Sequence, residues 1–133
     1  MRRLHTPAVS FAIGMTALGL TGCAASTTVD HTAEQVTISS GETLIVDFGT
    51  INTSVGDEWV IITDPDPAVL GPGEGEFDYL DDEGSVGGPS SFSYSFSAVG
   101  NGTTVIEFEY RFRGTVPDDP DDQGSAKIEV TVE

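Results

Sequence analysis

Apolar and polar residues alternate with a period of two along much of this chain. In SFSYSFSAV (residues 91–99), Phe92, Tyr94, Phe96 and Ala98 share one face and serines take the other. In TTVIEFEYRF (103–112), Ile106, Phe108, Tyr110 and Phe112 oppose Val105, Glu107, Glu109 and Arg111. AKIEVTVE (126–133) sets Ile128, Val130 and Val132 on one side. This alternation predicts antiparallel strands with one face buried.

Shorter runs fit the same scheme. VTIS (36–39), TLIVDF (43–48), EWVIIT (58–63) and FDYL (77–80) are strand candidates separated by turn chemistry. DPDPAVLGPGEGE (64–76) carries too many prolines and glycines for regular structure. GNG at 100–102 is a hairpin-type signal joining the two long strands. No helical periodicity follows residue 35. The expected fold is all-β, an immunoglobulin-like antiparallel β-sandwich of about seven or eight strands, formed by residues 36–133.

The first 22 residues do not belong to that scheme. Arg2 and Arg3 precede an apolar run, PAVSFAIGMTALGL, that is too short for a stable span. LTGC (20–23) then resembles the bacterial lipobox, against the alternative of a plain secretory signal with a chance cysteine. The expectation is a lipoprotein signal peptide over 1–22, with Cys23 lipidated. Residues 23–35, the cysteine and a small polar stretch, read as a flexible tether. The protein is then exported and held at the cell membrane or cell surface by its lipid, the only contact with a membrane.

All 22 Asp and Glu lie beyond Cys23, whereas only Arg111, Arg113 and Lys127 are basic there. Three basic against 22 acidic residues leave that part at −19. Such a surface repels nucleic-acid phosphate. It suits a soluble monomer, and charge of this kind aids solubility before it implies any acidic function.

Nucleophilic catalysis has little to work with. His5 lies in the signal and His31 in the expected tether, so neither reaches the domain, and Cys23 is the sole cysteine. That argues against an enzyme built on Ser–His or Cys–His pairs, and against a His- or Cys-liganded metal or other cofactor. DDPDDQGSAKIE (118–129) opens with EF-hand spacing at Asp119, Asp121 and Gly124, but Val130 stands where the bidentate glutamate belongs. A solvated acidic turn is the expectation, with a weak calcium site as the alternative. NTS and NGT match glycosylation acceptors, a signal discounted behind a bacterial export sequence.

One stretch remains. NTSVGDEW (52–59) interrupts two apolar runs with small polar residues and a glycine, then resumes with the single tryptophan. Together with GSVGGPSSF (84–92) and YRFRG (110–114), it resembles the chagasin family, inhibitors of papain-like cysteine peptidases built on an immunoglobulin-like sandwich. The resemblance runs from Val36 to the C-terminus. Asn52, Gly56 and Trp59 match the first family motif, and Ser54 conservatively replaces a threonine. Thr53, Val55 and Asp57 replace its proline, second threonine and aromatic. Gly87 and Gly88 match the glycine pair of the second motif, and Phe92 the phenylalanine after it. In the third, Tyr110 matches and Arg111 stands for the arginine, while Phe112 and Arg113 replace proline and tryptophan.

The resemblance implies three loops side by side at one end of the sandwich, occluding a peptidase cleft without a covalent bond. The implied contact residues are Asn52, Thr53, Ser54, Val55, Gly56, Gly87, Gly88, Arg111, Phe112 and Arg113. Trp59 reads as a core anchor. Asp57 reads as a charge carried into the cleft, costly to bury without a basic partner. Phe112 has two readings, contact residue or last inward residue of its strand, and the cation is Arg111 or Arg113. The alternative function is a surface adhesion or binding module that kept the sandwich and lost the inhibitory loops.

Overall fold

The computed structural model describes residues 25–80 and 88–133. Eight strands run in chain order: β1 (Ser26–Asp30), β2 (Gln35–Ile38), β3 (Thr43–Ile51), β4 (Asp57–Thr63), β5 (Glu74–Tyr79), β6 (Ser90–Ser97), β7 (Gly102–Phe112) and β8 (Ser125–Val132). They form two four-stranded sheets, ordered β1-β3-β6-β5 and β2-β8-β7-β4. This is the expected all-β sandwich.

Period-two alternation builds the core between the sheets. Leu44, Val46 and Phe48 of β3 and Phe92 and Phe96 of β6 face Ile106 and Phe108 of β7 and Ile128, Val130 and Val132 of β8. Every one of these is buried. A cluster of rings fills the middle, with Phe48 against Phe108 at 4.9 Å and against Trp59 at 4.8 Å between ring centroids. Trp59 packs on this core, as expected of an anchor.

Three expectations need correction. The stretch read as a tether contains β1, which pairs in parallel with β3 from Ser26↔Thr43 to Asp30↔Asp47. An edge strand is held by backbone hydrogen bonds and needs few apolar side chains, so its hydropathy conceals it. Only Val29 packs on the core. The chain then crosses to the other sheet, through an Asx turn in which the Thr32 N–H donates to Asp30 Oδ1 at 2.9 Å.

His31 is the second correction. It lies in the folded part, its ring 5.2 Å from both Phe48 and Trp59. Its Nδ1 is 3.2 Å from the Asp47 carbonyl oxygen and 3.4 Å from Asp30 Oδ1.

Third, GNG does not close a hairpin. β6 and β7 belong to different sheets, so residues 98–101 are a crossover. Alternation marks a buried face without saying which sheet bears it. The crossover pairs with the irregular 64–73 segment, where the Val99 N–H donates to the Val69 carbonyl and Leu70 bridges Ala98. Val69 and Leu70 are buried and close this end of the core.

Candidate functional site

Pairing registers place three connections at the opposite end. Ile51 at the end of β3 lies across from Ser90 at the start of β6, and Tyr79 at the end of β5 lies across from the same Ser90. Asp57 at the start of β4 faces Phe112 at the end of β7. The β3–β4, β5–β6 and β7–β8 connections therefore leave the sandwich at one pole, as the resemblance implied.

The β3–β4 connection is the best defined. Asn52 Oδ1 accepts from the Ser54 N–H at 3.1 Å, an Asx turn, and its carbonyl accepts from the Asp57 N–H at 3.1 Å. Thr53, Ser54 and Val55 form an exposed tip, with 49% of Val55 accessible. Gly56 ends the turn at φ +117°, where a Cβ would come within 2.6 Å of Arg113 Cγ. Only glycine suits that position.

The β7–β8 connection starts with a tight turn. Phe112 and Thr115 exchange backbone hydrogen bonds of 2.8 and 3.2 Å around Arg113 and Gly114. Both central residues have positive φ, +52° and +81°, the signature of a type I′ hairpin turn. Glycine is at home there and arginine is not. Its place is secured by the first loop. The Arg113 N–H donates to the Gly56 carbonyl at 2.9 Å, and Nε donates to the Val55 carbonyl at 3.4 Å. The guanidinium also lies 5.2 Å from the Phe112 ring centroid.

Asp57 departs from its expected role. Rather than carrying charge into a partner, its carboxylate turns back. Oδ2 accepts from the Asn52 N–H at 3.0 Å and Oδ1 from the Tyr110 hydroxyl at 2.6 Å. That hydrogen bond, reinforced by burial and by the Asp57 and Asp122 charges, pushes the Tyr110 phenol up to about 12. Asp57 thus braces both loops from beneath. In sequence, its position beside the loop was the only signal.

The remaining site residues divide. Phe112, 37% accessible, and Arg113 join the Thr53–Val55 tip. Arg111 does not, because strand parity turns it to the outer face, where Nε pairs with Glu109 Oε2 at 3.1 Å. Gly88 is half-buried ahead of β6, whereas Gly87 and Cys23 lie outside the described residues. Further along the β7–β8 connection, Pro120–Asp122 forms a 3₁₀ turn in which Asp119 Oδ1 accepts from the Asp121 N–H. Among the described residues, no group of three or more His, Cys, Asp or Glu is placed to hold a metal ion.

The sequence matches no protein-family model and no curated protein. Solved structures share the architecture. The cysteine protease inhibitor EhICP2 from Entamoeba histolytica aligns with a TM-score of 0.62 at 18% identity, over 84% of this chain and 99% of that one. Amebosin gives a TM-score of 0.62 at 18% identity, over 84% and 100%. PbICP-C, solved in complex with falcipain-2, gives 0.52 at 17%, over 82% and 99%. The fold implied by the three motifs is the fold of these chains.

Proposed function

We propose that this protein is a reversible, non-covalent inhibitor of papain-like cysteine peptidases. Its wedge is the Thr53–Val55 tip together with the Phe112–Gly114 turn, flanked by the β5–β6 loop. The observation that carries this reading is the bond between the two loops. With the Arg113 N–H on the Gly56 carbonyl and Asp57 bracing from below, tip and turn form one preformed surface. A preformed surface loses little entropy on binding, so a modest contact area suffices for tight association. Val55 offers an apolar point, and Phe112 with Arg113 offers the residue types that dominate interface hot spots. The fold is shared with the cysteine protease inhibitor EhICP2 and with PbICP-C, which was solved in complex with falcipain-2.

Export and lipidation at Cys23 belong to the same proposal, with the domain acting as a monomer at the cell surface. The Thr43 N–H donates to the Ala25 carbonyl at 3.0 Å, which fixes the chain two residues after Cys23. Two residues span at most ~7 Å. β1 starts at the pole opposite the loops, so the anchor holds that pole to the bilayer and the wedge points away from it.

Replacing 52–56 with a glycine–serine linker tests the site. Inhibition of papain is expected to disappear while cooperative unfolding persists. Inhibition retained by the folded variant would remove the loop from the mechanism.

A further inference from the structure

The edge strand β5 has a surface that the wedge leaves unused. It is the last strand of its sheet, and all six of its residues are exposed. Its ladder can be read from the bonds at either end. The Pro89 carbonyl accepts from the Leu80 N–H, and the Ser97 carbonyl accepts from the Gly71 N–H. Odd-numbered residues of β6 and its flanks therefore point their backbone groups toward β5. Antiparallel ladders alternate, and the register pairs Glu74, Glu76 and Asp78 with Ser95, Ser93 and Ser91. These three β5 residues spend their backbone groups on β6. The N–H and C=O groups of Gly75, Phe77 and Tyr79 point to the open edge.

Side chains on that edge fall into two rows. Phe77, stacked 4.7 Å from Phe92, and Tyr79 are 49% and 70% accessible. The opposite row is acidic throughout: Glu74, Glu76 and Asp78. Glu76 and Asp78 share a shallow groove with Asp47, Ser91 and Ser93. Among the described residues, no lysine or arginine pairs with it. Arg111 and Lys127 lie on the other sheet beside Glu109 and Glu107, and Arg113 is in the hairpin turn.

We propose that the open edge of β5 accepts an extended segment of another protein as a fifth strand, one whose residues alternate basic and apolar. Directly opposed residues lie on the same face of a sheet. The incoming strand must therefore set apolar side chains beside Phe77 and Tyr79, and lysine or arginine over Glu76 and Asp78. The free N–H and C=O groups supply affinity, and the two rows supply register. A second copy of this chain is the wrong occupant, because pairing β5 with itself sets carboxylates against carboxylates. Acidic residues on an edge are a known guard against self-association. Here the same charges select the partner. The site is independent of the peptidase wedge.

The test uses residues 25–133, which contain every described strand and every core residue. The probe is a fluorescent peptide alternating lysine and valine, about eight residues long to match a strand. It is expected to bind saturably and to perturb the β5 amide resonances. Methylating two amide nitrogens on its pairing edge should weaken binding about tenfold or more. The exposed pair of changes Glu76→Lys and Asp78→Lys should do the same without loss of fold. A glutamate–valine peptide should not bind. The proposal is overturned if the lysine–valine peptide fails to bind, if N-methylation leaves its affinity unchanged, or if the domain dimerises through β5 instead.

Discussion

Two side chains, Asp57 and Tyr110, hold the β3–β4 and β7–β8 loops together, and their chemistry sets a pH dependence. The phenol that donates to Asp57 Oδ1 is raised from an ordinary 10.0 to about 12, first by that hydrogen bond and then by burial. Folding therefore favours the protonated phenol. The stabilisation is fully present below pH 10 and is lost as pH rises toward 12. Tyr110→Phe keeps the ring against Trp59 and removes the donor. At neutral pH it should cost about 1–2 kcal/mol in urea unfolding. The stability gap between wild type and variant should narrow between pH 10 and 12. A gap that stays constant over that window contradicts the brace. This brace was not legible in the sequence. Alternation assigns faces to strand residues, but Asp57 opens its strand, and its carboxylate turns back to an amide and a phenol brought there only by folding.

Strand by strand, the sequence was most informative where a strand has one wet face and one dry face. β3, β6, β7 and β8 show period two because the core demands it. Edge strands escape that demand. β5 starts three residues before the FDYL signal and is exposed throughout, and β1 lies in a stretch that reads as solvent-loving. The sheet to which a strand belongs was equally hidden, as the GNG crossover shows. The tight turn at Arg113–Gly114 was half visible, since glycine marked its second position while arginine obscured its first. β1 yields a direct test. A chain starting at residue 31 loses the β3 pairing and the Val29 packing, and should unfold with about 1–3 kcal/mol less stability than one starting at residue 25. Equal stability would return 25–30 to the status of a tether.

Across the whole molecule, the two poles have separate tasks. One closes the core with Val69 and Leu70 and is where β1 begins. The other gathers the three loops. Strand β3, nine residues long, separates them by roughly 30 Å. On the proposed function, an anchored inhibitor of this design meets peptidases arriving from solution rather than those lying on its own membrane. The acidic surface keeps such a protein soluble and repels nucleic acid. The measurement that tests the central claim most directly is an equilibrium titration of residues 25–133 against papain and a cathepsin-L-like peptidase. The account predicts tight, reversible inhibition that competes with substrate for the active site. Folded protein that leaves both peptidases fully active at micromolar concentration would contradict it, and would make the sandwich a binding module without a wedge.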